Sequence, residues 1–336
     1  MRLMPAVFIC LLFFSCKTGE KRPDISGISA PLKTYRFEQE LFAADSTRLP
    51  GTLEQLKTKN PEFYNIFINN ILNADLSLPQ DSTIEYVHRF LSYYKSLNDS
   101  VQLLYKDFDI YEKEVSTSFR YLKYYFPKYK LPNQIITYVG PLDGYGDILT
   151  NDAIIIGLHH HLGGGSAFYK AGWLQDTYPA YLTARFDPEH IAVNSIRNII
   201  NDMYPDNPSD ERLIQQMIAA GKKLYLLQKC LPDYDENILI GYDKEQLKDC
   251  YQHEAVIWNY FIQNNMLQSI NKNLTKDYVS ESPKTPELGE KAPGNIGSFT
   301  GWQIVKKYMK EHEDVSPEKL MQLSADLIMK DADYKP

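Results

Sequence analysis

The sequence holds four cysteines in 336 residues, and once Cys10 and Cys16 at the N-terminus are set aside, only Cys230 and Cys250 remain. One disulfide is the most this pair can form. It would contribute ~3 kcal/mol in the chain-entropy model, and two buried free thiols are the competing reading. Positive charge is also short: 36 Lys+Arg against 43 Asp+Glu give a formal charge of -7. Nucleic-acid binders present a basic face, so nucleic acid is excluded as a partner. No apolar run reaches the roughly 20 residues that a membrane-spanning helix needs. Internal repeats and low-complexity blocks are missing too. What is present is ordinary globular material, 43% hydrophobic and 24% charged, which excludes wholesale disorder. Tyrosine is abundant at 25 copies spread along the chain, read first as packing and second as a ligand-stacking surface.

The first residues read as an address. Arg2 precedes a short apolar run, Leu3 to Phe14, followed by Ser15 and Cys16. A positive start, a short apolar core and a small residue before the break make a secretory signal over 1–15. Cysteine directly after Phe13-Phe14-Ser15 resembles a bacterial lipobox, with Cys16 as the lipidated first residue of the mature chain. Acyl chains contribute ~0.8 kcal/mol per buried CH₂, and more than one makes anchoring stable. The membrane is thus an expected partner through Cys16. Residues 16–31 are polar with Gly and Pro and read as a flexible tether.

Residues 32–336 read as one domain with a helical first part (35–128), a sheet region (132–165) and a helical last part (187–330). Asn60-Pro61-Glu62 is a helix-start signature, and helices are expected over 83–96 and 115–126. Gln134–Val139 and Ala153–Leu158 are β-branched runs that predict two strands, paired as a hairpin or as neighbours. Helices are expected again over 188–203, 209–230, 244–268, 300–312 and 316–330, with a loop over 281–295. The fold class is α+β, predominantly helical with a small central sheet.

Catalytic motifs are incomplete. His159-His160-His161 stands after a strand and before Gly163-Gly164-Gly165. Imidazoles ligate zinc and copper, but adjacent side chains point apart, so a solvated loop is the preferred reading. His159, His161 and His190 stay as weak metal candidates, because four of the seven histidines lie between 159 and 190. His253-Glu254 begins a zinc-peptidase motif whose second histidine position is Ile257, which removes a ligand. The glycine run lacks the Gly-Lys-Ser/Thr of a phosphate loop, and no G-x-S-x-G is present. No cofactor is expected.

The stretch APGNIGSFTGWQIVKKYM (292–309), the terminal DADYKP, RYLKYYFPKYKLP (120–132), ITYV (136–139), IIIGLHHHLG (154–163), IGYDKEQ (240–246) and HEAVIWNYF (253–261) together resemble the gliding-motility lipoprotein GldB family of Bacteroidota. The resemblance runs from about Tyr35 to Pro336. It departs at His159, where the family usually carries an acidic residue, and at His253, where Asn is more usual. The resemblance implies an outer-membrane lipoprotein tied to gliding, without implying a reaction. Cys16 is not followed by an acidic run of the kind associated with surface export, which leans the expected location to the periplasmic face. A family-motif pocket is expected around Gly294, Gly297, Trp302 and Gln303. The layout is also distantly similar to helical zinc peptidases, but the corresponding helix, Ile191 to Ile200, holds no His or Glu. On that analogy the scaffold has lost its metal and binds a protein or peptide, with an envelope protein as partner. The alternative is a metal-dependent hydrolase with an atypical histidine site.

Overall fold

A computed structural model describes residues 22–45, 47–74, 80–206 and 211–336. The signal segment and Cys16 lie outside the described residues. Four strands form one sheet: β1 (Lys33–Arg36), β2 (Gln134–Tyr138), β3 (Ile148–Leu149) and β4 (Ala153–Gly157), in the order β1-β2-β4-β3. Around it, among the described residues, lie sixteen α-helices. Five precede β2: α1 (Phe37–Phe42), α2 (Leu49–Lys59), α3 (Pro61–Asn65), α4 (Gln80–Leu104) and α5 (Asp109–Tyr125). Four more lead to the middle of the chain: α6 (Gly172–Gln175), α7 (Ala180–Thr183), α8 (His190–Met203) and α9 (Leu213–Cys230). Then come α10 (Glu236–Ile240), α11 (Lys244–Gln252), α12 (Glu254–Gln263) and α13 (Lys272–Tyr278). The chain closes with α14 (Ile296–Glu311), α15 (Pro317–Gln322) and α16 (Ala325–Ala332). The expected class, predominantly helical with a small sheet, is what the chain forms.

β2 and β4 are parallel neighbours rather than a hairpin, with Ile135 opposite Ile154 and Ile136 opposite Ile155. A parallel pair needs a connection that carries the chain back, and residues 139–152 do so with β3 folded antiparallel onto β4. Every residue of β4 is buried, as expected for a strand covered on both faces. Side chains alternate between faces. Ile135, Ile154 and Ile156 enter the large core shared with α5, α8, α9 and α14. Ile136, Tyr138 and Ile155 enter a second core, made with the Phe37, Phe63 and Phe67 rings of the N-terminal helices. The sheet is therefore the wall between two apolar cores.

Sequence patterning missed β1, because Lys33-Thr34-Tyr35-Arg36 has no apolar alternation. It joins β2 in parallel, and a buried ion pair fixes the corner that follows. Arg36 Nε donates to Glu38 at 2.7 Å, and Thr137 Oγ1 on β2 donates to the other Glu38 oxygen at 2.7 Å. The expected helix after Asn60 begins with Pro61 as predicted, and continues from Ile66 to Ile71 with π-helical winding. The helix expected over 244–268 breaks at His253, whose Nδ1 bonds the Asp249 carbonyl at 2.9 Å. The one expected over 316–330 breaks at Leu323, which is extended, and Ser324 restarts it by accepting the Leu327 N–H at 3.2 Å.

Two further expectations change. The part of the tether that is described, 22–31, lies along α5: Arg120 holds the carbonyls of Ile25 and Ile28, and Ser116 holds that of Ala30. Cys230 and Cys250 are separate buried thiols, not a disulfide. Cys230 ends α9 and Cys250 lies on α11, both in the large apolar core, and burial pushes the Cys250 thiol up to about 12 and Cys230 higher still.

Candidate functional site

The histidine run was expected in a solvated loop. It is instead among the best-buried polar segments of the molecule: His159 is 0%, His160 5% and His161 1% exposed. The run leaves β4 as a single 3₁₀ turn, and each ring reaches a different partner. His159 accepts the Gly140 N–H on Nδ1 at 3.2 Å, so Nε2 carries the proton and donates to the Tyr145 carbonyl at 3.0 Å. His160 Nε2 donates to the Leu142 carbonyl at 2.8 Å, and its ring stacks on Phe186. Burial holds both rings neutral, with His160 pushed down to about 4 and His159 also well below its ordinary value.

His161 behaves in the opposite way. Its Nε2 meets Asp147 at 2.9 Å and its Nδ1 meets the Asp187 carbonyl at 3.1 Å, so both nitrogens face acceptors. Burial pulls the imidazole's pKa down, but the charge and hydrogen bond of Asp147 outweigh it and hold it above the ordinary value. Burial likewise pushes Asp147 up, and His161, Asn194 Nδ2 at 3.0 Å and the Gly157 N–H at 3.1 Å bring it below the usual carboxylate value. The result is a buried imidazolium–carboxylate pair that ties the end of β4 to α8.

These bonds decide the metal candidates. The free lone pair of His159 is taken by Gly140, and both nitrogens of His161 donate, so neither has a ligand atom to offer. The structure does not bring His159, His161 and His190 together as ligands. His190 alone keeps both ring nitrogens without a protein partner, although it is only 6% exposed. It stands with Asp187 and Glu189, and one ligand atom of each lies within 4.8 Å of the others.

His190 also faces a cavity of about 1230 Å³. Its walls come from four distant segments: α5 from Ile110 to Tyr121, the stretch from α7 to the start of α8, the stretch from the end of α9 into α11, and the loop before α14. No sheet residue lines it, so the cleft sits on the helical side and not beside the sheet. Six lining carboxylates (Glu114, Glu189, Asp233, Asp235, Asp243, Glu281) face three lining cations (Lys113, Arg185, Lys244). Arg185 is held by Glu281 through two bonds of 3.0 and 2.8 Å, and Lys244 lies 3.3 Å from Asp235. The cleft therefore carries a negative excess. At its edge Asn295 has left-handed backbone (φ 57°) and a buried Oδ1 without a protein partner.

The expected motif pocket divides. Gly294 lines the cleft, and its carbonyl accepts from Tyr242 at 2.8 Å. Gly297, Trp302 and Gln303 do not line it; all three are buried on α14. Gly297 lies against the Tyr278 carbonyl, and a Cβ there would sit 2.7 Å from that oxygen. The glycines of this stretch serve close packing: a Cβ on Gly301 would lie 1.7 Å from the Met217 carbonyl of α9, so backbone meets backbone.

With the geometry described, comparison with known proteins places the chain. The model of the family described as Gliding motility protein GldB matches residues 18–336, nearly the full length. The chain belongs to the GldB family. No curated protein and no solved structure matches it. The match covers both cores, the buried histidines and the cleft, so all three belong to the GldB-family region of the chain. Among its described residues, no helix is long and apolar enough to cross a membrane.

Proposed function

We propose that this GldB family member is a lipid-anchored protein of the outer membrane that binds a segment of an envelope protein in the helical cleft and does not transform it. The observation that carries the reading is the cleft itself. Pockets for small ligands run to roughly 1,000 Å³, and about 1230 Å³ exceeds that, suiting several residues of a peptide. Tyr111, Tyr181, Tyr234 and Tyr242 supply flat apolar surface. The unpartnered nitrogens of His190 and Oδ1 of Asn295 are groups whose burial is compensated only when something in the cleft bonds them. The carboxylate excess favours a segment carrying basic side chains.

A hydrolase reading has less to stand on. Two of the three histidines it would draw on have every nitrogen engaged in structural bonds. Anchoring through Cys16, with the protein on the periplasmic face, completes the proposal.

Site-specific photo-crosslinking in living cells tests it. Ile110 is 60% exposed at the cleft wall, and Val256 is 57% exposed on α12, outside the cleft. A photoreactive residue at Ile110 should give a discrete adduct that Val256 does not. Identical adducts from both positions, or none from Ile110 in a folded chain, would reject the reading.

A further inference from the structure

Asp187, Glu189 and His190 occupy the turn into α8 and offer an imidazole nitrogen and two carboxylates within 4.8 Å of one another. Two facts separate this group from an ordinary acidic patch. His190 is more than nine-tenths buried and neither ring nitrogen has a protein partner, an arrangement that leaves a costly desolvated group uncompensated. Asp187 is fixed from both sides, with its Oδ1 taking the Gly164 N–H at 3.1 Å and its carbonyl taking His161.

We propose that Asp187, Glu189 and His190 form a binding site for one divalent transition-metal ion at the wall of the cleft, which Glu189 and His190 line. With both ring nitrogens free of any protein hydrogen bond, His190 has a lone pair to give a metal. An imidazole with two carboxylates suits zinc and its neighbours; calcium and magnesium prefer all-oxygen sets. The positive end of α8 opposes a cation here, as do Arg185 and Arg197. Arg185 is already paired with Glu281, Arg197 donates to the Leu239 carbonyl at 2.7 Å, and the two carboxylates balance the ion's charge. Three protein ligands leave a coordination position open to the cleft. The site shares His190 with the proposed binding cleft, but zinc uptake by the isolated chain is read with no protein segment present, so the two readings can fail separately.

The test is a zinc titration of the untagged full chain in competition with a chromogenic chelator. One zinc per chain is expected. His190→Ala should weaken binding at least tenfold and Glu189→Gln several-fold, while His253→Ala, at an exposed histidine outside the site, leaves it unchanged. Glu189 is exposed, so Glu189→Gln carries the test if His190→Ala does not fold. No zinc uptake, or uptake insensitive to both substitutions in the site, overturns the proposal.

Discussion

At the scale of single residues, the molecule's polar interior hangs on Asp147. It balances His161, accepts from Asn194 and Gly157, and through its carbonyl accepts from Asn198 at 3.3 Å. Removing one partner of a buried ion pair leaves the other charge uncompensated, at a cost of about 3–5 kcal/mol. Asp147→Asn should therefore lower stability by that order, read as a fall in the urea midpoint. Acid should do something related through the other rings. The ordinary histidine value is 6.5, whereas burial pushes His160 to about 4 and His190 to about 3. Between these values the unfolded chain takes up protons that the folded chain refuses, so stability falls as pH drops from about 6.5 to 4. His161 has the opposite sign. Its contribution is complete below 6.5 and fades as pH rises through its raised pKa. Thermal melts across pH 4–8 should show the acid-side loss, and a flat profile would contradict the assigned protonation states. None of this was legible in the sequence. A run of three histidines looks solvated, and the carbonyls that satisfy it belong to Leu142, Tyr145 and Asp187, which only the fold brings near.

At the scale of elements, strong local signals survived and weak ones did not. The β-branched runs of β2 and β4 and the capped helices were legible, because each carries its own periodicity and boundary chemistry. β1 was not, since a four-residue polar strand acquires its identity from the neighbour it pairs with. The breaks at His253 and Leu323 were hidden because propensity there favours continuation, and a local side-chain bond decides otherwise. Helices α9 and α14 meet backbone to backbone. Gly221 faces Gly301, and a Cβ on Gly221 would stand 2.2 Å from the Gly301 carbonyl carbon. Gly301→Ala should force the helices apart and cost more than about 3 kcal/mol, at or beyond the upper range of overpacking. Gly165→Ala, where open space surrounds the new carbon, should leave the denaturation midpoint unchanged. Equal midpoints for the two variants would remove close packing as the reason for glycine in this stretch.

At the scale of the whole molecule, the cleft is assembled from segments that lie far apart along the chain, spanning residues 110–295. No pattern in a linear sequence announces such a place. Of the expected family-motif pocket, only Gly294 lies at the cleft; Gly297, Trp302 and Gln303 are buried on α14. The proposed attachment through Cys16 rests on a local motif, the lipobox, which can be read from sequence alone. Cys16→Ser should move the protein from the membrane fraction to the soluble fraction on cell fractionation. Continued sedimentation with membranes would place the anchor elsewhere.

The central claim is that the helical cleft holds a protein segment, and filling the cleft tests it most directly. Thr117 lies on the cleft-facing side of α5, so Thr117→Trp adds an indole to the space without cutting into the core. The measurement is the yield of the Ile110 photo-adduct in cells, compared between the wild-type chain and Thr117→Trp with melting temperatures matched. The account predicts that the adduct disappears. An undiminished adduct from a folded variant would contradict it and move the binding surface away from the cleft.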